Sequence, residues 1–228
     1  MKEARLVPRA EVTGSLVGEL RPEFLRELDG LLANIEVQFG ATARRVLGFT
    51  GAVTGEGATT VALHFAYLLA RTSGKRILLV DSDVGAKKVS LSSPLGVRPG
   101  LVEVLCAEAR LEEVVLATEV SDLHFLPAGA HGPHADAMKI SNLQSLGDRL
   151  GKLYDWVILD LAPVLEHPES RLLASVSDGV VLVVRAHRTP RATAQRALDL
   201  LTSGRCRVLG TVLNARKESL PGFLRERV

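Results

Sequence analysis

The residues with the clearest chemical potential form a short glycine-containing stretch, VTGEGATT, at positions 53–60. A hydrophobic stretch, RRVLGFTGA, precedes it, and a helix-like stretch, TTVALHFAYLLA, follows it. Gly55 and Gly57 allow backbone N–H groups to converge on anionic oxygens, with a helix N-terminus behind them. Thr59 offers a hydroxyl to a Mg²⁺ ion. The stretch predicts a phosphate-binding loop, although an ordinary strand-to-helix turn with Thr59 as its N-cap would contain the same residues.

Acidic residues follow two of the apolar runs of the chain. Asp81 and Asp83 come after RILLV, and Asp160 ends WVILD. In a parallel sheet, ligands bind at the carboxyl ends of the strands, where these acids and the glycine loop would meet. Carboxylates there can hold Mg²⁺ through its waters or polarise a nucleophile. The combination favours a magnesium–phosphate site over an ordinary turn.

These residues must be positioned by alternating strands and helices. Apolar runs without polar alternation predict strands that are covered on both faces. The runs are RVLGFT, RILLVDSD, LHFLPAG, WVILDLAP, GVVLVVRA and RVLGTVLN, and helix-like segments lie between them near residues 59–72, 101–117, 141–152, 168–176 and 190–203. This order predicts a three-layer, doubly wound α/β fold with a mostly parallel sheet. Residues 1–22 are expected to form a loose arm, and residues 23–228 a single domain that opens with a helix over 23–39.

Composition limits the classes of function. The 228 residues carry a net charge of +2 and 24% charged side chains, which gives no argument for nucleic-acid binding. The longest apolar runs, such as GVVLVV, are too short to cross a bilayer, and the first residues lack the apolar core of a signal peptide. We therefore expect a cytoplasmic protein without a nucleic-acid partner.

Six motifs in the right order resemble the bacterial tyrosine kinases of capsule and exopolysaccharide systems. This family shares its P-loop class with the septum-site and plasmid-partition ATPases. The motifs are KRILLVDSDVG, GLVEVLCAEARLEEVV, LHFLPAGAHGP, YDWVILDLAPVL, DGVVLVVRAHRT and VLGTVLN. Each motif is weak alone, but together they cover roughly residues 23–217.

The resemblance implies a P-loop NTPase-like fold that binds ATP or ADP with Mg²⁺. It implies that Asp81, Asp83 and Asp160 are the catalytic acids, with Thr59, Asp81 and Asp160 around the metal. The nucleotide-binding set would be Gly55, Glu56, Gly57, Ala58, Thr59, Thr60 and Asn214, the last near the base. Its implied partners are a membrane polysaccharide co-polymerase or a related cytoplasmic kinase, and it allows a homo-oligomer. A partner could also hold the chain at the inner face of the membrane.

The sequence departs from the family at several functional positions. The family's loop reads approximately PGEGKST, and Ala58 here replaces the lysine that grips the β- and γ-phosphates. An arginine after the second aspartate motif falls at Gly85. The ring-assembly pattern of the N-terminal helix falls at Arg26, Asp29 and Leu32, and the tyrosine-rich tail is absent. Loss of one charge-assisted hydrogen bond, worth about 1.5–3 kcal/mol, predicts nucleotide binding that is weakened or lost.

These departures favour a degenerate kinase relative that regulates or scaffolds polysaccharide polymerisation and export. One alternative is an active ATPase or tyrosine kinase that uses another cation, for which Lys87 and Lys88 are candidates, although solvated loop lysines are the simpler interpretation. Another alternative is a partition-type positioning ATPase, against which the LPAG and GLVEVL motifs argue.

Several other polar residues have simpler interpretations. His131 and His134 have metal-like spacing, but a polar turn explains them more simply. Arg44 and Arg45 precede a strand at the sheet end opposite the nucleotide, where they could meet acidic partners or lipid, although two arginines do not make a basic patch. Surface or cap positions are expected for Asp148, Glu169 and Asp178, although Glu169 falls where the family has an aspartate.

Overall fold

A computed structural model describes residues 22–40, 45–83, 98–129 and 138–215. Seven helices lie in these ranges: α1 Pro22–Phe39, α2 Ala58–Thr72, α3 Leu101–Leu105, α4 Leu111–Val114, α5 Ile140–Leu153, α6 Pro168–Ser175 and α7 Arg191–Ser203. Seven strands accompany them: β1 Arg45–Gly51, β2 Ile77–Asp81, β3 Leu116–Ala117, β4 Leu123–Leu126, β5 Trp156–Asp160, β6 Gly179–Arg185 and β7 Val208–Asn214. The arm expected over residues 1–22 lies outside the described residues except for Pro22, which opens α1.

The seven strands form one sheet in the order β3-β4-β2-β5-β1-β6-β7. Every neighbouring pair is parallel except β3 and β4, which pair antiparallel. Helices link successive parallel strands, as parallel pairing requires. The predicted doubly wound α/β fold with a mostly parallel sheet is therefore confirmed.

Strand β1 lies between β5 and β6, and this placement creates the site. The chain leaves β1 on one side toward β2 and later returns to its other side with β6. Such a reversal of strand order opens a crevice at the carboxyl ends of the strands. The glycine loop follows β1 directly, so the sheet places it in this crevice.

The core has two layers, one on each face of the sheet. One layer packs α1 and α2 against the sheet through side chains that include Phe49, Phe65 and Trp156. The opposite layer packs α3 to α7 against it. All residues of β1, β2 and β5 are buried, which explains why these strands carry continuous apolar runs. Among the described residues, none of the helices is both long enough and apolar enough to cross a bilayer.

The segment 101–117 differs from the single helix that the sequence predicts. It forms two short helices, α3 and α4, and then the edge strand β3. Ala107, between the helices, has a φ of 59°, which cannot continue a right-handed helix. Glu103 and Glu113 each accept a hydrogen bond from the backbone N–H of the residue that precedes their helix, which starts two separate helices.

Arg45 corrects an expectation about the far end of the sheet. It is the first residue of β1 and only 8% exposed, so it does not offer a surface charge to acidic partners or lipid. Its guanidinium lies 4.7 Å from the centroid of the Trp156 ring and donates a 2.8 Å hydrogen bond to the carbonyl of Gly40. Arg45 therefore joins the end of α1 to the sheet.

We expect Arg45→Ala to lower the free energy of unfolding by about 2–3 kcal/mol, because a desolvated cation–π contact and a charged hydrogen bond are both lost. Chemical denaturation monitored by circular dichroism measures this change. Arg149→Ala is the matched control, since its 4.0 Å contact with Glu112 is half-exposed and should contribute less than about 0.5 kcal/mol. Equal effects of the two substitutions would contradict the proposed role of Arg45.

Candidate functional site

The glycine loop makes a tight turn from β1 into α2. Gly55 and Gly57 have φ angles of 89° and 88°, a left-handed conformation that favours glycine. Gly57 is the N-cap of α2, and no side chain caps the helix. A Cβ atom at Gly57 would lie 2.2 Å from the side-chain nitrogen of Asn214. The backbone therefore favours glycine at both positions, and Gly57 also leaves room for Asn214.

Internal carboxylates already accept the first N–H groups of the loop. The N–H groups of Ala52 and Val53 donate to Oε2 of Glu56. The N–H of Thr54 donates to Oε1 of Glu166 at 3.1 Å. The first backbone hydrogen bond of α2 is the one that the N–H of Val61 donates to the carbonyl of Gly57. The uncapped first turn of α2 therefore presents N–H groups and the positive end of the helix dipole to an anion.

Glu56 is the centre of a polar network beneath the loop. Its side chain is 3% exposed, and Oε1 accepts a 2.6 Å hydrogen bond from the hydroxyl of Thr189. The amide nitrogen of Asn214 donates to the carbonyl of Glu56 at 2.8 Å. Nη1 of Arg185 donates to the carbonyl of Gly55 at 3.2 Å. Residues from the ends of β6 and β7 thus fix the conformation of the loop.

Two of the predicted acids lie side by side at the ends of neighbouring strands. Asp81 and Asp160 are paired in the register of β2 and β5, and they are 0% and 2% exposed. The N–H of Asp83 donates to Oδ1 of Asp81 at 3.2 Å, which keeps Asp83 at the same edge. The side chain of Thr59 faces Asp160 as a potential hydrogen-bond donor and lowers the pKa of its carboxyl. The structure therefore brings Thr59 and the three predicted acids together.

Asp160 is in an unusual electrostatic environment. Burial raises the pKa of its carboxyl well above the ordinary value, and the nearby charges of Asp81 and Asp83 raise it further, whereas the hydrogen bond from Thr59 lowers it. Its Oδ1 is buried and has no hydrogen-bond partner among the residues that the structure describes. A buried oxygen of this kind is costly unless a cation or a water molecule is present.

This donor set fits a Mg²⁺ ion. Within the described ranges, no group of three or more His, Cys, Asp or Glu side chains is arranged to hold a metal. Mg²⁺ does not need such a group, because it keeps several waters and usually binds one or two carboxylates together with substrate phosphates. The hydroxyl of Thr59 and the carboxylates of Asp81 and Asp160 would hold it. The ion would neutralise charge on bound phosphates.

Ala58 is the first residue of α2, one residue before the helical segment that the sequence predicts near 59–72. Its methyl group is 9% exposed and belongs to the hydrophobic layer beneath α1 and α2. Thr60, two residues later, is exposed. Position 58 therefore carries no polar group that could contact an anion. A longer side chain at this position would have to leave the hydrophobic layer before it could contact an anion at the loop.

The remaining candidates lie away from the glycine loop or outside the described residues. Asp178 is at the start of β6, where its Oδ2 accepts the N–H of Val46 at 2.7 Å. Glu169 lies in the first turn of α6, 3.5 Å from His167, and Asp148 is exposed on α5. On α1, Arg26 and Asp29 are exposed and Leu32 is half-buried. Gly85, Lys87, Lys88, His131 and His134 lie outside the described residues.

Sequence reasoning missed three residues that contact the loop. Arg185 and Thr189 stand at the end of β6 and just after it, and the motif DGVVLVVRAHRT contained both without assigning them a role. Glu166 follows β5 by six residues and accepts hydrogen bonds from both the N–H and the hydroxyl of Thr54. Their place after strands that flank β1 was the available signal.

Comparisons with known proteins agree with this geometry. The model of the AAA domain family matches residues 45–198. The tyrosine-protein kinase YwqD of Bacillus subtilis is 27% identical over 208 residues, which cover 90% of this chain and 87% of YwqD. The succinoglycan biosynthesis transport protein ExoP of Rhizobium meliloti is 31% identical over 174 residues, or 75% of this chain and 22% of ExoP.

Solved structures show the same fold. The kinase domain of the Escherichia coli tyrosine kinase ETK superimposes with a TM-score of 0.78 at 19% identity, covering 86% of this chain and 77% of that one. The septum site-determining protein MinD of Pyrococcus horikoshii, complexed with Mg-ADP, superimposes with a TM-score of 0.63 at 24% identity, covering 79% of this chain and 75% of that one. The chain belongs to the AAA domain family, in the P-loop class of the bacterial tyrosine kinases.

We expect Asp160→Asn to stabilise the protein at neutral pH in Mg²⁺-free buffer, by about 1–3 kcal/mol, because the wild type must either bury a carboxylate or take up a proton when it folds, and the amide needs neither. The wild-type carboxyl has a raised pKa in the folded state, so its ionisation costs stability as the pH rises through that value. The gain should therefore shrink as the pH falls and Asp160 takes up its proton. Thermal unfolding between pH 5 and pH 8 measures this trend.

Mg²⁺ provides the control for this prediction. If Asp160 binds the ion, Mg²⁺ should raise the melting temperature of the wild type more than that of Asp160→Asn. If Asp160→Asn instead destabilises the protein at every pH, hydrogen bonds within the protein already compensate the carboxylate, contrary to this interpretation.

Proposed function

We propose that this chain is a degenerate member of the bacterial tyrosine kinase class that binds magnesium nucleotide weakly and acts without kinase activity of its own. It would regulate or scaffold capsule or exopolysaccharide polymerisation and export from the cytoplasm, as the partner of a membrane co-polymerase or of a related cytoplasmic kinase. The observation that carries the proposal is Ala58. It stands at the first position of α2, next to Thr59 and near the sheet edge at which Asp81 and Asp160 end their strands.

The parts that support retained binding are the loop and the acids. The uncapped N-terminus of α2 offers N–H groups to a phosphate, and Thr59, Asp81 and Asp160 form a set suited to Mg²⁺. These groups do not depend on a lysine. Nucleotide binding is therefore expected to be weakened by about ten- to a hundredfold, the equivalent of one charged hydrogen bond, and not abolished.

The missing lysine should affect phosphoryl transfer more than binding. Charge develops on the transferred and leaving oxygens in the transition state, and a lysine at position 58 would stabilise that charge. Ala58 offers only a buried methyl group. The proposal therefore combines residual binding with negligible turnover.

The two tyrosines are poorly placed to accept phosphate. Tyr154 is 8% exposed, its hydroxyl lies 2.9 Å from Nδ1 of His124, and burial raises its pKa to about 12. Tyr67 is half-buried in α2, with the guanidinium of Arg71 5.8 Å from the centroid of its ring. Phosphorylation of either residue would require part of a helix or of the core to open.

The proposed cellular role rests on the relatives. The bacterial tyrosine kinase class is linked to capsule and exopolysaccharide biosynthesis, and ExoP is named as a transport protein of succinoglycan biosynthesis. This chain matches only 22% of ExoP, so the proposed role does not draw on the rest of that protein. A chain without its own phosphoryl transfer can still serve such a system by binding a partner in a nucleotide-dependent way.

Arg185 supports a second candidate function, an active ATPase or tyrosine kinase of the same system. Its guanidinium already lies 3.2 Å from the carbonyl of Gly55 and is half-buried at the end of β6. A cation at the loop can stabilise developing negative charge, as the missing lysine would. The two candidates differ in one measurable quantity, which is ATP turnover.

We expect purified protein to show neither ATP hydrolysis above the level of Asp81→Asn nor any phosphotyrosine after incubation with Mg·ATP. The reason is the absence of a cation at position 58 and the burial of Tyr154. Phosphate release assays and mass spectrometry measure the two activities. Turnover that is lost in both Asp81→Asn and Arg185→Gln would instead establish the active enzyme with Arg185 as its cation.

We expect Ala58→Lys to tighten binding of Mg·ADP by about 1–3 kcal/mol, since the ammonium group can form a charged hydrogen bond to the β-phosphate. Calorimetric titration measures the affinity, and melting temperatures with and without ligand check folding. Ala58→Met is the matched control, because it adds a side chain of similar length without the charge. Equal affinities of the folded Lys and Met variants would mean that the loop no longer accepts phosphate.

A further inference from the structure

Asn214 ends the edge strand β7, and both polar atoms of its side chain contact the backbone. Its Nδ2 donates to the carbonyl of Glu56 at 2.8 Å, and its Oδ1 accepts the N–H of Ala215 at 2.8 Å. These two partners fix which end of the amide is which, because a carbonyl can only accept and an N–H can only donate. The half-buried side chain of Asn214 therefore links the end of β7 to the glycine loop.

Gly57 lies directly against this amide. It is the N-cap residue of α2, with a φ of 88° and a ψ of 23°. A Cβ atom at Gly57 would lie 2.2 Å from Nδ2 of Asn214, so any other residue would push the amide away from the Glu56 carbonyl. The glycine and the asparagine therefore fit each other, and the contact between them depends on both.

Hydrogen bonds to two successive carbonyls fix the direction of two successive N–H groups. Nη1 of Arg185 donates to the carbonyl of Gly55 at 3.2 Å, and Asn214 donates to the carbonyl of Glu56. In a planar trans peptide, the C=O and the N–H point in opposite directions. The N–H groups of Glu56 and Gly57 therefore point away from the ends of β6 and β7. They precede the N–H groups at the uncapped first turn of α2, and successive N–H groups of this kind bind anions.

We propose that Asn214 is a positioning residue for phosphate binding, which aims the N–H of Gly57 at an anion through its hydrogen bond to the Glu56 carbonyl. Asn214 then acts within the nucleotide site proposed above, on which the inference rests. The family resemblance implies instead that Asn214 lies near the base. The two roles differ in their consequences, since positioning affects every ligand with a diphosphate group, whereas contact with a base affects nucleotides alone.

Loss of the Asn214 amide should free one peptide of the loop and leave the rest of the loop in place. The Glu56 side chain is held separately, because its carboxylate accepts two backbone N–H groups and the hydroxyl of Thr189. Only the peptide that follows Glu56 would lose its fixed direction. Since one neutral hydrogen bond then has to be replaced by ordering in the complex, we expect diphosphate binding to weaken by about threefold to tenfold.

The test compares the affinities of Mg·pyrophosphate, which has no base, and of Mg·ADP by calorimetric titration. The proteins are the wild type, Asn214→Leu, Asn214→Ala and Asn142→Leu, each with Ala58 and with Ala58→Lys. Leucine keeps the branched shape of asparagine without its hydrogen bonds, and alanine adds no apolar bulk beside Gly57. Asn142→Leu is the matched control, since Nδ2 of Asn142 also donates to a carbonyl, that of Leu105, at 3.5 Å. Melting temperatures confirm that each variant is folded.

A second readout follows the N–H of Gly57 itself. In protein labelled with ¹⁵N-glycine, the NMR signal of the Gly57 amide should shift when Mg·pyrophosphate binds to the wild type, because the N–H donates to a phosphate oxygen. The shift should be smaller in Asn214→Ala at saturating ligand. An unchanged Gly57 signal in a wild type that binds pyrophosphate would overturn the positioning role.

The expected result is that both Asn214 variants weaken binding of the two ligands by the same factor, about threefold to tenfold, and that Asn142→Leu changes neither affinity. Weaker binding of Mg·ADP alone would place Asn214 at the base and overturn its positioning role, and so would unchanged binding of both ligands. The proposed function stands in either case. Binding of neither ligand by any of the proteins, including those with Ala58→Lys, would overturn both.

Discussion

The buried carboxylate of Glu56 holds the glycine loop in the shape on which the rest of the site depends. It accepts the two backbone N–H groups that follow β1 and the hydroxyl of Thr189, so hydrogen-bond donors compensate its negative charge. Gly51 is required beside it, since a Cβ atom there would lie 2.9 Å from Oε2 of Glu56. The loop is therefore organised by its own residues, and loss of the lysine at position 58 need not collapse it.

The sequence predicted the scaffold well because the scaffold follows from periodicity. Buried parallel strands such as β1 and β5 need continuous apolar runs, and such runs are visible without any knowledge of contacts. The same logic brought Asp81 and Asp160 to one edge of the sheet, since both end parallel strands. It failed at residues 101–117, where Ala107 takes a left-handed conformation that no hydrophobic pattern reveals.

The sequence did not predict individual side-chain contacts between distant segments of the chain. Arg45 could have met acidic partners or lipid at the end of the sheet, but the ring of Trp156, far along the chain, packs against its guanidinium and helps to bury it. Glu166 and Thr189 contact the loop across 112 and 133 residues respectively. Only the sheet order brings these segments together, and that order is a property of the fold and not of any local stretch.

The charges around the loop constrain what the site can do. Asp81, Asp160 and Glu166 lie on one side of β1, and position 58 carries alanine, where the tyrosine kinases that the chain resembles have a lysine. A phosphate that enters this region meets repulsion from carboxylates, whereas a Mg²⁺ ion meets attraction from the same groups. Bound together, the ion and the phosphate cancel most of each other's unfavourable charge. Since coupling between two ligands is reciprocal, each should bind better when the other is present, and this dependence should be stronger here than in a relative with lysine. With Ala58 in the place of a lysine, the proposed metal would be the main counter-charge for phosphate, and occupancy of the loop would then depend on occupancy of the two buried aspartates.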